Sequence, residues 1–228
     1  MSRTSRIFPL LPLVASLLSL ASGPASALSL LGDERTVKAA YYYDCGLDIC
    51  LDVDETLPVA PFAAFDAAAV SGSATAQQTS SVGTTSMTGD GSAALPGSYD
   101  AYSRSTFRVE FAVGLPTTIV LDGLLTTLDH DYGSTEASYS LGPSGGTPLF
   151  ESFLEGPGDG VVHEVPFHVD TVLDPGTYVL EVFAFADYSY GEATYHFDLS
   201  VPEPGTGLLL TLGLAALLVP RRPLRRRH

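Results

Sequence analysis

The chain has 228 residues, 26 of them acidic and 11 basic, and a formal charge of −15 at neutral pH. Seven of the 11 basic residues lie in the two end segments, so residues 28–204 carry only Arg35, Lys38, Arg104 and Arg108 against all 26 carboxylates. A surface of that sign repels nucleic acid and anionic lipid, which argues against both as partners, and its plainest role is solubility.

In chain order, Arg3 and Arg6 precede an apolar run from Ile7 to Leu20, and Ala25-Ser26-Ala27 offers a small-residue cleavage site. Residues 1–27 are expected to be a signal peptide, cut between Ala27 and Leu28 by signal peptidase. Pro9, Pro12 and the short run argue against a retained anchor.

Residues 28–58 form an acidic stretch rich in Tyr, Asp and Cys. Cys45 and Cys50 are the only cysteines, and in an exported chain they are expected to form a disulfide across Gly46. Asp44, Asp48, Asp52, Asp54 and Glu55 invite a calcium reading, but the spacing lacks the EF-hand pattern, and a solvated acidic strand or loop is the expectation.

Residues 59–201 are expected to form the main domain. Its first part, 59–98, is rich in Ala, Ser, Thr and Gly and poor in large apolar residues. That composition fits a flexible linker or polar outer strands; irregular edge strands are the expectation, with Ala74 to Val82 and Thr85 to Ala94 as candidates and a short helix as an alternative at Asp66 to Val70. From Ser105 a period of two is clear: Phe107, Val109, Phe111 and Val113 share one face. Pro116 breaks this strand, and Asp122-Gly123 reads as a turn or bulge between Thr117–Leu121 and Leu124–Leu128. Further strands are expected around Ala137 to Leu141, Pro148 to Leu154 and Val161 to Val169. Asp174-Pro175-Gly176 is a tight turn, because proline presets the first corner and glycine accepts positive φ. The strand Tyr178 to Ala186, apolar on both faces, reads as central. Ala193, Tyr195, Phe197, Leu199 and Val201 give the cleanest alternation. Strands at this spacing with Gly/Pro turns predict an antiparallel β-sandwich or jelly roll.

The last segment, 202–228, has three parts: Pro202-Glu203-Pro204, an uncharged run from Gly205 to Val219, and Arg221, Arg222, Arg225, Arg226 and Arg227. As a helix the 15-residue run would span roughly 22 Å, against about 30 Å for a bilayer core, so it suits a transient transmembrane helix with snorkelling arginines. The arginines are expected to stay in the cytoplasm and everything before Pro202 outside.

Val201-Pro202-Glu203-Pro204, an apolar run and an arginine cluster, in this order at the end of a chain, resemble the PEP-CTERM sorting signal of Gram-negative bacteria. Gly205 and Pro220 depart from the usual pattern. The resemblance implies a precursor held briefly in the inner membrane, processed by an exosortase, and delivered to the cell surface or extracellular matrix. The turn Leu173-Asp174-Pro175-Gly176-Thr177-Tyr178 is also similar to the penultimate hairpin of many exported bacterial sandwich domains, carbohydrate-binding and pre-peptidase modules among them, which bears on the fold and not on a ligand.

No catalytic constellation is present: there is no Gly-x-Ser-x-Gly elbow, no His-Glu-x-x-His and no phosphate loop. His163 and His168, five apart on one strand, are expected on opposite faces. Asp129 and Asp131, with Glu136, could hold a cation, although a polar loop is the simpler reading. The expected protein is a non-enzymatic surface or matrix component without a cofactor. One alternative is a module that binds exopolysaccharide through Tyr41 to Tyr43 or Tyr188 and Tyr190, with or without calcium. A secreted hydrolase is another.

Overall fold

The computed structural model describes residues 28–202 apart from 47, 59, 98, 99, 131, 132 and 189. The expected signal peptide and the apolar and arginine parts of the tail lie outside the described residues.

Thirteen strands follow one another along the chain: β1 Ser29–Asp33, β2 Thr36–Asp44, β3 Ile49–Thr56, β4 Phe65–Ser71, β5 Ala74–Val82, β6 Ser86–Leu95, β7 Ala101–Val113, β8 Thr117–His130, β9 Ser134–Pro143, β10 Phe150–Glu155, β11 Asp159–Leu173, β12 Gly176–Asp187 and β13 Gly191–Ser200. They form two antiparallel sheets. Sheet A runs β10-β9-β12-β7-β2-β3, with β1 also paired to β7, and sheet B runs β11-β8-β13-β6-β5-β4. The two-sheet, all-β expectation holds.

The inward alternation of β7, β12 and β13 supplies a large share of the core. Phe107, Val109, Phe111, Leu180, Val182, Phe197 and Leu199 are all buried. Rings meet across the sheets: Phe107 packs edge-on against Phe197 at 4.6 Å, and Tyr139 stacks on Phe167 at 3.9 Å. Burying each such side chain contributes about 1.5–3 kcal/mol. β12 pairs with β7 on one side and β9 on the other, so its central position is as expected.

Five expectations need correction in whole or in part. Residues 28–58 are not a separate stretch, because β1 and β2 pair end to end along the same edge of β7 and β3 pairs with β2. Residues 59–98 are strands as expected, β4 to β6, but β6 is an interior strand between β5 and β13 rather than an edge. The segment at Asp66 to Val70 is strand β4 rather than helix, with Phe65 and Ala69 buried and Asp66 and Val70 exposed. Asp122-Gly123 is no turn: β8 runs straight through it, and a β-carbon at Gly123 would stand 2.1 Å from the Phe167 ring. Glycine there admits a ring from the neighbouring strand. The face Val161 to Val169 is buried only at Phe167 and Val169, and Val161 is exposed, because β11 is an edge strand that runs past the core.

Candidate functional site

Ala25, Ala27, Glu203 and Pro204, and the five terminal arginines, lie outside the described residues, whereas Leu28, Val201 and Pro202 are described. Leu28 and Val201 are both buried, and both are held by the turn between β5 and β6. The Leu28 amide donates to the Thr84 carbonyl at 2.7 Å, and the Val201 amide donates to the Thr85 carbonyl at 2.9 Å. A compact unit spans Ala27–Pro202.

Cys45 and Cys50 are joined by a disulfide at the tip of the β2–β3 hairpin. The acidic residues nearby are used locally. Asp54 accepts from the Val70 amide, and Asp52 accepts from the Ser71 hydroxyl, tying β3 to β4. Among the described residues no three or more His, Cys, Asp or Glu side chains are grouped to hold a metal.

The hairpin tip carries the first candidate ligand surface. Tyr42 and Tyr43 from β2 line a cleft of about 600 Å³ together with Tyr188 from the β12–β13 turn, Ile49, Asp100 and Asp187. The two tyrosine groups, far apart in sequence, therefore meet. Tyr188 adopts φ of 67°, a left-handed conformation uncommon for a bulky residue, and its ring is 59% exposed. Burial pushes the Asp187 carboxyl above its ordinary range, opposed by the Tyr188 amide.

A second surface was not anticipated. The outer face of sheet A gathers Arg104 and Arg108 from β7 and Lys38 from β2, while Arg35 turns inward beneath them. Lys38 pairs with Glu55 at 3.6 Å, and Arg108 pairs with Glu34 and with Glu181. Arg104 has no carboxylate within 4.0 Å among the described residues; its Nε donates to Thr106, and its guanidinium lies 5.1 Å from the Phe183 ring centre. Phe183 stands in one cross-strand row with Ser138 and the exposed Phe153. The apolar outer face of β12 was the available signal, but a central strand explained it equally well.

The outer face of sheet B is a polar groove. His196 contacts Asp90 at 2.6 Å and His168 contacts Asp122 at 2.6 Å, both exposed. The Asp122 hydrogen bond holds the His168 imidazole above its ordinary value. His163 lies on the opposite face of β11, bonded to Asp159.

The described members of the cation trio weighed against a polar loop, Asp129 and Glu136, lie on different faces. Asp129 points into the interior from β8 and is fully buried, whereas Glu136 lies in the partly exposed outer row of sheet A opposite Glu155, and Asp131 is outside the described residues. Burial, then repulsion from Glu155, raises the Glu136 carboxyl.

No protein-family model matches the chain, and comparison with curated proteins finds no match. Among solved structures, the chain is similar to TmCBM61 in complex with β-1,4-galactotriose, with 14% identity, 50% of this chain, 71% of that chain and a TM-score of 0.31. It is similar to the C-terminal CBM6 of LamC from Zobellia galactanivorans, with 15% identity, 48% and 79% coverage and a TM-score of 0.25. It also resembles tailspike protein 4 of bacteriophage CBA120, with 14% identity and a TM-score of 0.32, over 57% of this chain and only 19% of that one. Likeness this remote transfers neither ligand nor activity.

Proposed function

We propose that the protein is an exported, non-enzymatic component of the cell surface or extracellular matrix, cut by signal peptidase after Ala27 and processed by an exosortase at Pro202-Glu203-Pro204. One observation supports this reading most. The compact unit Ala27–Pro202 begins and ends where the two processing signals fall. Leu28 and Val201, next to those ends, are buried and tied to adjacent carbonyls of one turn, so cutting outside them leaves the sandwich closed.

The Glu203→Gln variant is expected to abolish C-terminal processing, leaving a tail-bearing chain in the inner-membrane fraction. Glu203 is a single carboxylate on a stiff segment between two prolines, the feature a membrane-embedded peptidase could read. Normal amounts of mature protein from this variant would contradict the sorting reading.

A second reading, retention on polysaccharide, is favoured by the meeting of Tyr42, Tyr43 and Tyr188 around one cleft. Aromatic walls with a few fixed polar groups are the usual make-up of a small-molecule or sugar site. The double variant Tyr43→Ala/Tyr188→Ala is expected to weaken binding to the host's exopolysaccharide by about tenfold, equivalent to ~1.4 kcal/mol. Unaltered binding in a pull-down with that polymer would remove the cleft from consideration.

A further inference from the structure

In sheet A the start of β7 lies between the ends of β2 and β12. Two backbone hydrogen bonds fix this corner. The Tyr42 amide donates to the Asp100 carbonyl at 2.7 Å, and the Tyr188 amide donates to the Ala101 carbonyl at 3.3 Å. Tyr42 and Tyr188 therefore flank the start of β7 from opposite sides, and both line the cleft of about 600 Å³ at this corner. That volume falls within the roughly 300–1,000 Å³ of pockets that take small ligands.

The lining has one chemical character. Three of its side chains are tyrosines, Tyr42, Tyr43 and Tyr188, and three are carboxylates, Asp44, Asp100 and Asp187; the remaining two are apolar, and none among the described residues is basic. All four basic residues of the folded unit line the separate cleft on the outer face of sheet A, so the tyrosine cleft keeps its full negative charge. Ionised carboxylates only accept hydrogen bonds, which leaves the phenol hydroxyls as the side-chain donors of the cleft. An anionic sugar meets three like charges here, and a neutral sugar makes no use of them. A cation meets the negative faces of aromatic rings together with carboxylates, and both attract it. Burial raises the Asp187 carboxyl, and a positive charge beside it restores the charged form.

Resting on the polysaccharide reading of this cleft, we propose that its ligand is the cationic part of such a polymer: a hexosamine residue with a free, protonated amine. The ammonium lies among the carboxylates and against a tyrosine face, while the tyrosine walls cover the apolar side of the sugar ring. An N-acetylated residue carries no charge and forfeits the first of these interactions.

The test is a calorimetric titration of the full chain with a β-1,4-linked glucosamine oligomer and with its fully N-acetylated counterpart of equal length, buffered between the carboxylate and amine ranges. The charged oligomer is expected to bind at least about tenfold more tightly than the acetylated one. Asp44→Asn/Asp187→Asn, which preserves shape, should weaken the charged oligomer about tenfold and carries the test if Tyr43→Ala/Tyr188→Ala folds poorly. Asp170→Asn/Asp198→Asn removes the same charge from exposed positions on sheet B and should change binding by less than about twofold, because charges that distant are screened. An equal loss in both asparagine pairs would overturn the proposal and mean that a polycation coats the acidic surface. Equal binding of the two oligomers, lost in the tyrosine variant, would overturn the cationic ligand and leave the polysaccharide reading standing. Binding of neither oligomer would also overturn it, and the pull-down with the host's exopolysaccharide would then judge the polysaccharide reading separately.

Discussion

Replacing Arg35 by methionine is expected to destabilise the protein by about 3–5 kcal/mol, the usual cost of stranding one member of a buried ion pair. Arg35 sits in the break between β1 and β2 and is fully buried. Its Nε and Nη2 donate to the two oxygens of Asp33, each at 2.7 Å, in a fork that matches the carboxylate. Nη1 donates to Ser80 on β5, and Nη2 also donates to the Ala63 carbonyl. Asp33 in turn accepts from the amide of Phe62, a residue held at φ of 60°. The pair thus fastens the β3–β4 connection and sheet B to the β1–β2 corner. Methionine would leave Asp33 with backbone donors only and no countercharge. The double variant Asp33→Leu/Arg35→Met should recover much of the loss, because an apolar pair carries no desolvation penalty. Chemical denaturation of the three variants decides it, and a loss below ~1 kcal/mol in Arg35→Met would show the pair to be dispensable.

The same pair gives a pH dependence of definite sign. Burial alone would raise the Asp33 carboxyl, but the Arg35 hydrogen bonds, the Phe62 amide and the Arg35 charge together hold it below its ordinary value. A carboxyl with a depressed folded-state pKa binds fewer protons folded than unfolded. Its stabilising contribution is therefore complete above the unfolded value, about 4, and is lost as pH falls through the lower folded value. Arg35→Met should lose this part of the acid sensitivity.

Gly91→Val is expected to cost about 3 kcal/mol through overpacking. Gly91 lies mid-strand in β6, directly opposite Tyr195 of β13. A β-carbon there would stand 2.3 Å from the Tyr195 ring and 2.5 Å from the Ser105 hydroxyl. The ring cannot easily retreat, because Tyr195 is almost wholly buried and its hydroxyl bonds Ser105 of the facing sheet at 3.2 Å. Shortening the ring should relieve the clash, so Gly91→Val/Tyr195→Ala is expected to be more stable than the sum of the two single losses predicts. Strict additivity in a double-mutant cycle would mean that the strand shifts instead of the ring.

These two sites also show where sequence patterning reaches and where it stops. β7, β12 and β13 were legible because each carries its own large side chains at period two. β5 and β6 were legible only as polar strands at Ala74 to Val82 and Thr85 to Ala94, not as part of the core, because their inward positions are mostly small or polar, and the volume above Gly89 and Gly91 is filled by Phe197 and Tyr195 from another strand. A strand that borrows its neighbour's rings shows no apolar alternation of its own. Asp122-Gly123 misled for the same reason: the glycine marks a close ring, not a turn. Arg35 and Asp129 carry no sequence signal of burial, because charged residues are mostly exposed, and their burial follows only from which strands face each other. The tyrosines were legible as candidates, but the cleft was not, since Tyr43 and Tyr188 meet through the ends of β2 and β12 in the assembled sheet. The histidines of β11 fell on opposite faces as their odd spacing requires.

The central claim is that the folded unit is released from both of its end segments, and intact mass tests it most directly. The protein from the native host, taken separately from surface and membrane fractions, should give a surface species that starts at Leu28 and ends near Pro202 to Pro204, with or without an adduct at that end. A species that keeps Arg221 to His228 and stays in the membrane would contradict the account and make the tail a permanent anchor.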